Sequence, residues 1–125
     1  MSMRNPLAQA RGLGSAKQGV QHWYLQRATA LLLIVLTGWL LYALVALSGA
    51  DHEAAVDFLA SPGNAAAAVL LAISGIYHAI LGLQVVIEDY VHGPVLELAL
   101  QFAVRALGYT GLAVSVICIL RIALT

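Results

Sequence analysis

Residues 65–87 read AAAAVLLAISGIYHAILGLQVVI, an apolar run whose only ionisable side chains are Tyr77 and His78. A bilayer core cannot satisfy backbone N–H and C=O groups. An apolar run of this length therefore reads as a helix that bonds its own backbone while crossing the membrane. Turn signals bound it on both sides. Before it stands Ser61-Pro62-Gly63-Asn64, where Pro62 and Gly63 mark a turn and Asn64 is the expected helix cap. After it comes Glu88-Asp89-Tyr90-Val91-His92-Gly93-Pro94, where Gly-Pro stops the helix or turns the chain.

Two further runs are of the same kind. Ala28–Ser48 carries no charged residue; at about 1.5 Å per residue it measures about 31 Å, the thickness of the hydrocarbon core. His22, Trp23, Tyr24 and Arg27 precede it, as interfacial anchors do. A third span is expected over about 103–123. Its core lies between Arg105 and Arg121, about 24 Å apart along a helix, and both side chains can snorkel outward. The expected fold is all-α: one membrane-anchor domain over residues 1–125, with spans at about 28–48, 65–87 and 103–123. Composition agrees. Charged residues are 10% of the chain and mean hydropathy is +0.90, against roughly 25% charged in soluble domains.

Residues 1–20 hold Arg4, Arg11 and Lys17 with several glycines and no acid, and read as a flexible basic tail. With Arg27 they make the N-terminal side basic. Residues 49–64 contain Asp51, His52, Glu53 and Asp57 but no Lys or Arg, and read as a loop. By the positive-inside rule the N-terminus is cytoplasmic, the first loop is outside, the second is cytoplasmic and the C-terminus is outside; Arg121 alone opposes this. The first apolar run is too long for the core of a secretory signal. Zero net charge with scattered basic residues argues against a nucleic-acid role. Cys118, the only cysteine, excludes an intrachain disulfide and reads as a buried, inert thiol.

An ionisable group inside a span is costly and faces protein, water or a ligand. At about 100° per residue, Gly75 lies roughly 60° from His78, Gly82 roughly 40°, and Ser74 about 40° to the other side. His78 thus sits among small residues on its own face. Two readings stay open. One is a packing histidine bonded to a neighbouring helix that the small residues let approach. The other is an imidazole ligating a flat group such as a haem; a proton relay or another metal is a third. The chain has no second histidine and no methionine within a span, so a six-coordinate haem needs a ligand from another chain. That points to a component of a hetero-oligomeric helix bundle.

Asp89 follows His78 by three turns plus about 20°, so both share a face about 16 Å apart. Asp89 and Tyr90 read either as a helix-end carboxylate and a belt aromatic, or as a polar site at the membrane boundary. In the second reading Tyr90 donates to a quinone carbonyl, and Asp89 or His92 helps supply protons. Arg27 reads as a snorkelling interfacial residue or as a partner for an anion such as a haem propionate. Arg105 has the same two readings.

From Tyr77 to Val91 the segment YHAILGLQVVIEDYV resembles the hydrophobic membrane anchor subunit of succinate dehydrogenase, the smaller of the two anchors of respiratory complex II. The shared motif is a histidine, ten intervening residues, then Asp-Tyr. Gln26-Arg27-Ala28-Thr29-Ala30 resembles that family's Arg-Ala-Thr segment at the start of the first span. The resemblance implies that His78 is an axial ligand of haem b, with the second axial histidine supplied by the other membrane anchor. It implies that Tyr90 hydrogen-bonds ubiquinone, that Asp89 lies close by, and that Arg27 lies near the haem propionates. Iron–sulfur and flavoprotein subunits would sit on the cytoplasmic face of a bacterial inner membrane and pass electrons from succinate to quinone. This chain would not oxidise succinate itself, having no flavin motif and no cysteine cluster. The rival readings are the anchor of a quinol:fumarate reductase and a non-redox three-helix scaffold. Two departures stand out. Gly19-Val20 is followed by Gln21 before His22, where some members have histidine at once. Val91-His92-Gly93-Pro94 stands where some have Val-Lys-Pro.

Overall fold

The computed structural model describes residues 16–125. The expected tail at 1–20 lies outside them, save for Ala16–Val20, which already belong to the first helix. Among the described residues four helices follow one another: α1 Ala16–Ala46, α2 His52–Ala60, α3 Pro62–Tyr90 and α4 Pro94–Leu124. Among the described residues there is no strand. α1, α3 and α4 are long and apolar enough to cross a membrane, so the all-α membrane fold holds.

The junctions follow from local chemistry. α1 stops at a turn in which Gly49 takes φ 82°, a left-handed conformation that costs glycine little. Asp51 then caps α2, its Oδ1 accepting the Ala54 N–H at 2.9 Å, with Glu53 in the first turn where the helix dipole favours an acid. The expected loop over 49–64 is therefore largely a helix. Asn64 is also not the cap of α3. That helix starts at Pro62, whose missing N–H costs nothing at a first position, and Ser61 occupies the cap position. Asn64 instead ties three elements together: its amide donates to the Phe58 carbonyl at 2.9 Å and its Oδ1 accepts Trp39 Nε1–H at 3.0 Å. α4 begins at Pro94, earlier than the expected span, and carries Glu97 in its first turn.

α3 is the middle of the bundle. α1 packs along one side of it and α4 along another, while α2 lies against both α3 and α4. The buried positions concentrate on α3: Ala65, Ser74, Ile80, Leu81, Gln84 and Ile87. α4 buries no residue, and large apolar side chains such as Val95, Phe102 and Leu107 stand exposed along it. Helices apolar on all sides suit lipid or further membrane helices rather than water. Cys118 is exposed on α4, not buried, because α4 contacts α3 and α2 on only part of its circumference.

The α3–α4 contact is close. A Cβ on Gly108 would stand 2.7 Å from Ile80 Cγ1 and nearer still to its Cδ1. Only glycine lets α4 approach α3 this far. Beside it Arg105 reaches Gln84, whose amide oxygen, oriented by this network, accepts from Arg105 Nε and Nη2, each at 2.6 Å.

Candidate functional site: a histidine between two helices

α1 and α3 run antiparallel, and three polar side chains meet where they touch. Thr29 Oγ1 stands 2.9 Å from His78 Nδ1. The same hydroxyl donates back to the Leu25 carbonyl at 2.7 Å, with the Gln26 carbonyl at 3.1 Å. Such i−4 back-bonding is common for threonine in apolar helices. A hydroxyl has one hydrogen to give and spare lone pairs to accept. With its hydrogen committed to α1's own backbone, Thr29 accepts from His78 Nδ1–H. The other ring nitrogen, Nε2, then carries a bare lone pair and faces Gln26 Nε2 at 3.5 Å, a long contact. Gln26 Oε1 is buried without a hydrogen-bond partner among the described residues. An unpaired buried carbonyl oxygen costs about 1–3 kcal/mol, so the Gln26 side chain is weakly held here.

The glycines near His78 face α1. A Cβ on Gly75 would lie 3.8 Å from Leu33 Cδ2, and one on Gly82 would lie 3.9 Å from Gln26 Nε2. These are ordinary contact distances, looser than at Gly108. Ser74 is buried and turns its hydroxyl to the Leu70 carbonyl at 2.6 Å. The small-residue face expected around His78 is thus present, and within this chain α1 covers it.

Asp89 and Tyr90 form the last turn of α3, both exposed, Tyr90 to 77%. His92 is exposed just beyond. Arg27 follows Gln26 but is exposed, and its guanidinium carbon stands 5.3 Å from the Trp23 ring centroid, a cation–π contact. Trp23 in turn meets Tyr24 edge-on. Arg105 is held by protein on one side: besides Gln84 it donates to Gln101 Oε1 at 3.4 Å, and Gln101 donates to Glu97 at 3.3 Å. Among the described residues no group of three His, Cys, Asp or Glu side chains is placed to hold a metal ion.

Sequence reasoning singled out His78, Asp89, Tyr90 and Arg27 but gave no role to Thr29, Gln26 or Gln84. The signal was there. Gln26 and Thr29 lie three apart on one face of α1, and Gln84 is the only amide side chain within 65–87.

Residues 1–122 match the family model described as succinate dehydrogenase/fumarate reductase transmembrane subunit. The chain is 40% identical over 102 residues to the succinate dehydrogenase hydrophobic membrane anchor subunit of Rickettsia bellii, covering 82% of each chain. It is 31% identical over 119 residues to the subunit of the same name from Paracoccus denitrificans, covering 95% of this chain and 92% of that one. Against the succinate dehydrogenase membrane anchor subunit of Reclinomonas americana it is 30% identical over 94 residues, covering 73% and 78%.

Proposed function

The chain belongs to the succinate dehydrogenase/fumarate reductase transmembrane subunit family, and we propose that within the assembled complex it supplies an axial haem b ligand and one wall of a ubiquinone site. It is a membrane-anchor subunit of succinate dehydrogenase, a non-catalytic part of that complex. The observation that carries the haem reading is the environment of His78. It lies mid-span, its Nδ1 is engaged by Thr29, and among the described residues its Nε2 meets only a long amide contact. A neutral imidazole with one nitrogen bonded and the other bare is the donor that an iron takes. The haem, when bound, supplies a one-electron store.

The chain's own residues then divide the work. His78 would hold the iron from one side, the second axial ligand coming from the other membrane anchor of the complex. Arg27, freed from Trp23 or beside it, would pair with a propionate. With the N-terminus cytoplasmic and the C-terminus periplasmic in a bacterial inner membrane, the last turn of α3 lies at the cytoplasmic boundary. There Tyr90 would donate its hydroxyl hydrogen to a ubiquinone carbonyl, with Asp89 close enough to move a proton. The exposure of both side chains supports that reading, because a docking quinone and the iron–sulfur subunit need them uncovered. The long apolar faces would seat lipid and the second anchor, so that flavoprotein and iron–sulfur subunits are held on the cytoplasmic side. Residues 1–125 act in this as one membrane-anchor domain.

The test is made on the complex purified in mild detergent. His78→Ala should abolish this chain's share of haem binding and with it the b-type band in the reduced-minus-oxidised spectrum. Tyr90→Phe should leave that band intact and lower quinone reductase turnover severalfold. A b-type band that survives His78→Ala with assembly unchanged would sink the ligand assignment.

A further inference from the structure

We propose that Thr29 is the positioning residue for His78: its hydroxyl oxygen accepts Nδ1–H and so presents Nε2, oriented and electron-rich, for coordination. The proposal rests on the haem reading above and adds a residue of α1 to it. The geometry has three parts. The Thr29 hydroxyl hydrogen is taken at 2.7 Å by the Leu25 carbonyl, so the oxygen is fixed as an acceptor toward the ring at 2.9 Å. Iron on Nε2 requires the proton on Nδ1, and among the described residues only Thr29 meets that nitrogen. Finally, the group now opposite Nε2 is easy to move. Gln26 reaches it at 3.5 Å with its own oxygen buried and unpaired, so displacing that amide forfeits little.

A hydrogen bond accepted from Nδ1–H makes the imidazole a stronger donor and fixes its plane. It therefore favours ferric iron and slows loss of the haem. Removing the hydroxyl should raise the haem midpoint potential and loosen the haem, within the roughly 10–100-fold range found for outer partners of metal-bound histidines. The backbone of α1 is not at stake, because the Leu25 carbonyl keeps its helical N–H bond.

The experiment compares the assembled complex carrying Thr29→Val, Thr29→Ala and Thr29→Ser with the unaltered complex. Two readouts are taken: the haem midpoint potential by optical titration, and the rate of haem loss to excess apomyoglobin. Val and Ala should both raise the potential and speed haem loss about 10-fold or more, while Ser should keep both near the original. The Ala variant carries the test if the Val complex does not assemble. Unchanged potential and haem loss in Val and Ala, with the b-type band still dependent on His78, overturns the role of Thr29 and leaves the haem reading standing. A Ser variant as altered as Val assigns the effect to packing and also overturns it. A complex without a b-type band, or with one indifferent to His78→Ala, removes the haem reading instead.

Discussion

α3 offers two very different faces to its neighbours. Toward α4 it packs to the limit: Gly108 has no room for a Cβ against Ile80, and Gln84 closes on Arg105 at 2.6 Å. Toward α1 it packs loosely: Gly75 and Gly82 each have room for a methyl group, His78 shares a hydroxyl, and Gln26 keeps an unpaired oxygen. A filled, satisfied contact stabilises one arrangement, whereas a loose and partly unsatisfied one can be rearranged by a ligand at little cost. The α3–α4 pair is therefore the scaffold, and the α1–α3 seam is where the proposed haem would be admitted.

The most direct challenge to this contrast is to put volume where α3 and α4 meet. Gly108→Val should lower the stability of the purified complex by about 3 kcal/mol, because overpacking a close contact forces a backbone shift. Thermal unfolding followed by subunit dissociation measures it. A Val variant as stable as the original means that the two helices part easily, and the scaffold assignment fails. Next in size is Gln84→Leu, which leaves the guanidinium of Arg105 with Gln101 but without its shorter bonds to Gln84. Loss of a hydrogen bond to a charged group should cost about 2 kcal/mol. Adding Arg105→Leu should recover most of it, and a double-mutant cycle isolates the pairwise coupling. If the two single changes simply add, the Gln84–Arg105 bond contributes nothing to holding α4.

Much of this was legible in the sequence, and the rest was hidden for identifiable reasons. Charge-free runs such as Ala28–Ser48 located the helices, because a membrane permits little else. His78 was visible as an ionisable residue where one is costly. α2 was missed because four polar residues, Asp51 to Glu53 and Asp57, made its segment read as loop. Yet Asp51 is a good cap, and no breaker stands between it and Ser61-Pro62. The roles of Thr29 and Gln84 depend on which helix lies opposite, at which height. Apolar periodicity cannot supply that, because helices apolar on every side carry no stripe to orient them. Gly108 was unremarkable for the same reason: its neighbour Ile80 is far away in sequence.

The smallest expected stability change lies in the loose seam and separates two uses of its glycines. If Gly82 is there only to let α1 approach, Gly82→Ala fits at the 3.9 Å contact with the Gln26 amide and gains helix propensity. Stability should then change by less than about 1 kcal/mol. If the same glycine also leaves space for a haem held by His78, that Ala variant should assemble normally yet carry less haem. The haem-to-flavin ratio of the purified complex decides between them. Gly75→Ala is the natural companion, since its methyl would meet Leu33 Cδ2 at 3.8 Å rather than a polar amide. A drop in haem with both variants, at unchanged thermal stability, makes the seam a site rather than a gap. Normal haem with both leaves Gly75 and Gly82 as packing residues, and takes the α3 glycines out of the proposed haem contact, which then rests on His78, supported by Thr29, and on Arg27.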